Sequence, residues 1–124
     1  MVYYIIIRGP AGVGKSTIAK ELSKQLNGFY VSYDNILKKN KLAKLDKKRT
    51  NPCIPSENFI KANEIILKNL KDILGNKIVI FDGCFYHYEQ IEHLIKKLSY
   101  DYFIFTLKAS LKDCIIKKTM CRHT

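Results

Sequence analysis

Apolar positions along the chain fall into two kinds of run that take turns. Val2–Ile7, Phe29–Val31, Ile78–Phe81 and Tyr102–Phe105 are short, continuous and rich in β-branched and aromatic residues. Unbroken apolar runs of that length suit strands covered on both faces. Between them the spacing changes. Ile18, Ala19, Leu22 and Leu26 recur at helical intervals, as do Phe59, Ala62, Ile66, Leu70 and Ile73, and then Ile91, Leu94, Ile95 and Leu98. The pattern predicts a strand over about residues 2–8, a helix to about 27 with Gly28 just beyond it, and a second strand over 29–32. A helix follows from Ile36, and residues 50–56 form a loop interrupted by Pro52 and Pro55. A helix starts at Ser56 and Glu57 and stops at Gly75; strands over 77–83 and 100–107 flank another helix, and a last helix begins with Leu111 and Ile115. Strands alternating with helices imply a parallel sheet with right-handed crossovers. In such sheets ligands bind at the C-terminal ends of the strands.

One of those ends carries chemistry in its residue types. Gly9-Pro10-Ala11-Gly12-Val13-Gly14-Lys15-Ser16 matches G-x-x-x-x-G-K-[ST] in full, between a buried strand and a helix. The glycines let the backbone curl so that N–H groups face inward around phosphate oxygens, and the helix adds its positive end. Lys15 would reach the β- and γ-phosphates and the Ser16 hydroxyl would hold Mg²⁺. Asp34 and Asp82 follow the second and third strands, so the fold gathers them beside the loop. Each has a plainer reading as well: Asp34 as the cap of the helix from Ile36, Asp82 as half of an Asp-Gly turn.

The bulk numbers narrow the class. The 124 residues suffice for one domain, residues 1–124, with a modest core. No apolar run is long enough to span a membrane, and the start lacks a charged leader or cleavage site, which points to the cytoplasm. Cys53, Cys84, Cys114 and Cys121 show no C-x-x-C spacing and read as thiols of an intracellular protein, with no zinc site. Net charge is +11, and residues 38–49 hold six lysines and Arg49 against one acid, Asp46. That stretch is either a solvated helix face or a surface for an anion, a phosphorylated substrate or a nucleic-acid backbone. It contains no aromatic residue for base stacking.

Gly9–Thr17, with Tyr33-Asp34-Asn35 and Phe81-Asp82-Gly83 more weakly, resembles the small P-loop kinases: shikimate- and gluconate-kinase-like enzymes and AAA-domain or polynucleotide-kinase-type proteins. The resemblance runs over nearly the whole chain. It implies a three-layer α/β/α P-loop NTPase fold with a parallel sheet of order 2-3-1-4, lacking the usual fifth strand and lid. It implies ATP and Mg²⁺ as cofactors and transfer of the γ-phosphoryl to a hydroxyl of a small-molecule acceptor. Gly9 to Thr17 would bind the nucleotide, with Thr17 at the α-phosphate. Lys15, Asp34 and Asp82 would be catalytic, Asp34 orienting the acceptor and Asp82 joining Ser16 at the metal. Arg8 reads as structural, and His87 as polar surface of a loop bordering the acceptor. The sequence departs from the family after the fourth strand: Lys117 and Lys118 stand where a lid arginine is expected, and Arg122 is the tail's sole arginine. A shortened kinase, or a minimal form completed by its tail or by a second subunit, would account for this. Either way nucleotide binding is expected to outlast turnover, and an uncovered sheet face would favour self-association. A polynucleotide 5′-hydroxyl kinase using residues 38–49, and an inactive ATP-binding module, are the alternatives. No N-K-x-D segment for reading guanine is present.

Overall fold

The computed structural model describes residues 3–10, 12–45 and 53–108. Eight elements follow one another: β1 (Tyr3–Arg8), α1 (Lys15–Gln25), β2 (Phe29–Ser32), α2 (Tyr33–Lys39), α3 (Ser56–Asn69), β3 (Val79–Gly83), α4 (Tyr88–Lys97) and β4 (Asp101–Thr106). The strands pair in parallel in the order β2-β3-β1-β4. This is the α/β order read from the sequence.

Alternation along β1 and β3 sorts the core into two layers. Ile5, Ile7 and Ile80 face α1, where Ala19 is buried and Leu22 and Leu26 pack against them. Tyr4, Ile6, Val79 and Phe81 face the other way, onto Leu37 of α2, Phe59, Ala62 and Ile66 of α3, and Ile91 and Leu94 of α4. All of β3 is buried, whereas β4 is exposed along its length. Its Tyr102 stacks on Tyr4 and its Phe103 meets Tyr3 edge-on, yet both side chains stay largely open to water among the described residues. No helix among the described residues is long and apolar enough to cross a membrane.

A buried polar network ties the second layer together. The Tyr33 hydroxyl donates to Asn63 Oδ1, and Asn63 Nδ2 donates to the Gln90 carbonyl at 2.9 Å and lies 3.1 Å from His93 Nδ1. Burial pushes the Tyr33 phenol well above its ordinary pKa, so it remains a donor. Pulling Tyr33 into the core starts α2 three residues before the predicted Ile36. At its far end α3 stops at Asn69, because the Leu70 carbonyl accepts from the N–H groups of both Ile73 and Leu74, and the chain turns before reaching Gly75. The predicted last helix from Leu111 lies outside the described residues.

Phe81 has no exposed surface, while Tyr88 at the start of α4 is 66% exposed. Phe81→Ala is expected to lower unfolding free energy by about 3–5 kcal/mol, and Tyr88→Ala by less than about 0.5 kcal/mol. Urea denaturation of the two variants checks the layer assignment.

Candidate functional site

The loop leaving β1 is shaped by two glycines. A Cβ on Gly9 would lie 2.6 Å from the Leu107 carbonyl oxygen, so only glycine lets the chain pass the end of β4. Gly14 adopts φ 85°, a left-handed conformation, and forms the N-terminal boundary of α1 with no side-chain cap. The first intrahelical bond runs from the Ile18 N–H to the Gly14 carbonyl at 3.1 Å. The N–H groups of Lys15, Ser16 and Thr17 therefore precede the helical ladder, and α1 has no acid in its first turn. The positive end of the helix is left for a ligand anion.

Beside that end lies a buried carboxylate. The alternation that sends Phe81 to the other layer turns Asp82 toward α1, and Asp82 is only 3% exposed. Its Oδ2 accepts from Ser16 Oγ at 2.9 Å and also from the Tyr30 hydroxyl. Its Oδ1 lies 3.6 Å from Lys15 Nζ and is buried with no hydrogen bond among the described residues. Lys15 is itself buried. Burial, then the hydrogen bond to Asp82 and the charge of that carboxylate, push the Tyr30 phenol up to about 12. Lys20 Nζ sits 5.8 Å from the centre of the Tyr30 ring.

The structure thus gathers Lys15, Ser16 and Asp82 and adds Tyr30, which the sequence reading passed over. An aromatic residue in a strand reads as packing. The available signal was register: Tyr30 pairs with Ile80, on the face from which Asp82 also projects. Asp34 stands apart, exposed in the first turn of α2, and no ion pair or hydrogen bond joins it to this cluster among the described residues. It is not the helix cap. Ser32 fills that position, its Oγ accepting from the Asn35 N–H at 3.3 Å. Thr17 and Gly12 are exposed, Pro10 and Val13 are half-buried, and Ala11 lies outside the described residues.

Two neighbours of the site have definite partners. Arg8 donates from Nη2 to the Phe85 carbonyl at 3.0 Å, and no acid pairs with it among the described residues. His87 is not polar surface. It is buried at the start of α4, with Nε2 2.7 Å from the Ile54 carbonyl oxygen and its ring against Phe59 and Tyr86. From the basic stretch, Lys38, Lys39, Lys41 and Lys44 are exposed. Lys47, Lys48 and Arg49, like Lys117, Lys118 and Arg122, lie outside the described residues.

Similarity to known proteins agrees with this architecture. A family model described as "AAA domain" matches residues 5–115. The APS kinase CysC of Mycobacterium tuberculosis, solved in complex with AMPPNP and APS, superposes with a TM-score of 0.69 at 15% identity, over 93% of this chain and 67% of that one. A chain of the Pnkp1/Rnl/Hen1 complex gives 0.63 at 14% identity, over 93% and 38%. The crystal structure of APE1195 gives 0.64 at 18% identity, over 94% and 65%. The chain therefore spans about two thirds of two of these structures and well under half of the other, and at such identities the likeness is one of fold. No curated protein sequence matches the chain. A phosphate-loop strand and helix, a parallel 2-3-1-4 sheet and a family match over most of the length place the chain in the AAA domain family, as a small kinase-like P-loop NTPase domain.

Proposed function

We propose that the chain binds ATP with Mg²⁺ and transfers the γ-phosphoryl group to a hydroxyl of a small-molecule acceptor. The observation that carries this reading is the convergence of Lys15 and Ser16 on the buried Asp82 at the open end of α1. A buried carboxylate oxygen with no hydrogen bond, and only an ammonium 3.6 Å away, is poorly compensated. Hard oxygen donors of this kind suit Mg²⁺ or its bound water, so the residues fit the ion. Ser16 and Asp82 would hold it, and when bound it would neutralise charge on the β- and γ-phosphates.

The residues then divide the remaining work. The N–H groups of Gly12 to Thr17 cradle phosphate oxygens, with Thr17 nearest the α-phosphate. Lys15 exchanges Asp82 for phosphate oxygens and stabilises the charge of the moving group. Ser16 can keep its proton on Asp82 while offering a lone pair to the metal. Asp34, at the acceptor side, orients the hydroxyl and takes its proton late in the transfer. The APS kinase neighbour, solved with AMPPNP, supports ATP as the donor.

Calorimetric titration of the chain with Mg·ATP should give saturable binding. Lys15→Ala should weaken it about 10- to 100-fold, the worth of a hydrogen bond to a charged group. Equal affinity in the variant overturns the phosphate-cradle reading. Asp34→Asn should leave Mg·ATP affinity unchanged and lower turnover on a responsive acceptor by about 10²–10⁴-fold; undiminished turnover removes Asp34 from the chemistry.

The exposed lysines 38, 39, 41 and 44, and the fold shared with a chain of the Pnkp1/Rnl/Hen1 complex, favour one second reading, in which the acceptor is a polynucleotide 5′-hydroxyl. Four phosphate contacts would give a log–log salt slope of about −3 for a single strand. Oligonucleotide affinity indifferent to salt eliminates it. Tight ATP binding with transfer to no hydroxyl at all identifies an inactive nucleotide-binding module instead.

A further inference from the structure

We propose that Tyr30 is a positioning residue that gives the two oxygens of Asp82 different tasks. The inference rests on the ATP–Mg²⁺ reading of the site and concerns how the carboxylate is held there. Oδ2 receives two hydroxyl protons, from Ser16 and Tyr30, which fills its accepting directions. Oδ1 receives none among the described residues and faces the Lys15 ammonium. One oxygen is anchored and the other is free for a cation.

The two anchors are not equivalent. Ser16 lies in the nucleotide loop and turns its lone pair to a metal when one is bound. Tyr30 belongs to β2, hydrogen-bonded along its length to β3, and its movement is restricted to two side-chain torsions. Its hydroxyl has the Asp82 carboxylate within reach as an acceptor. Its ring also has Lys20 Nζ at 5.8 Å from its centre. The terminal torsion of an aspartate is broad and two-fold. Without Tyr30, the Asp82 carboxylate turns about that torsion and no longer holds one oxygen fixed where a cation would bind.

The consequence separates metal dependence from nucleotide affinity. Tyr30→Phe keeps the ring and its packing and removes one hydroxyl. ATP affinity in EDTA should be unchanged. The Mg²⁺ concentration that half-saturates the gain in ATP affinity should rise about tenfold, the loss expected for one hydrogen bond to a charged group. In an Asp82→Asn background the same substitution should add little, because the carboxylate it positions is gone. An unmoved Mg²⁺ midpoint overturns the proposal, as does an equal fall in EDTA, which marks general damage to the loop. Full additivity with Asp82→Asn also overturns it. Absence of any Mg²⁺-dependent gain in the wild-type chain overturns the ATP–Mg²⁺ reading itself; a wild-type gain with an unmoved Tyr30→Phe overturns only the role of Tyr30.

Discussion

The site depends on one buried negative charge. Asp82 is the penultimate residue of a strand with no exposed residue, and a carboxylate in that position is tolerated only with partners. The partners come from different elements: Lys15 and Ser16 from α1 and Tyr30 from β2. Their convergence fixes the start of α1 against the sheet, and the start of α1 shapes the loop before it. The charge also settles where the loop places its lysine. Lys15 is buried, so it too needs a partner, and Asp82 supplies one at a distance longer than a good hydrogen bond. A pair held this loosely recovers little of its desolvation cost. An incoming phosphate with better-placed oxygens can therefore displace the carboxylate at small loss.

The sheet separates this charge from its other face by strand parity. Asp82 projects toward α1, while Gly83 next to it faces the opposite layer, where a Cβ would meet Phe85 at 3.0 Å and Tyr33 at 3.1 Å. Arg8 belongs to that second layer as well, following Tyr4 and Ile6 in the alternation of β1. Its bond to the Phe85 carbonyl ties the residue before the phosphate loop to the loop after β3. The ends of β1 and β3 are thereby linked by backbone pairing and by a side chain, both through Arg8.

Local pattern made the loop and its strand legible, since glycines, lysine and serine at fixed spacing state their own chemistry and the apolar runs mark the sheet. Asp82 was legible as an acid closing a buried strand. What escaped the sequence depends on long-range partners. Ser32 and Asp34 are both good cap residues, and the choice between them falls to Tyr33, which is drawn inward by Asn63 thirty positions away. His87 looks like a loop residue until α3 and the Ile54 carbonyl close over it. Tyr30 looks like strand packing until register places it beside Ile80 and within reach of Asp82. Proximity in the chain carried none of these.

The two aspartates also differ in how their environments prepare them. Asp82 is desolvated and engaged before any ligand arrives, which suits a group that holds a cation in place. Asp34 is exposed on α2, whose first turn is anchored through Tyr33 and whose cap is already filled by Ser32. Its backbone is fixed while its carboxylate remains in water. On the proposed reading, α2 fixes where that carboxylate stands while leaving it open to meet an acceptor hydroxyl, so the two acids divide the work: Asp82 holds a cation and Asp34 orients the acceptor.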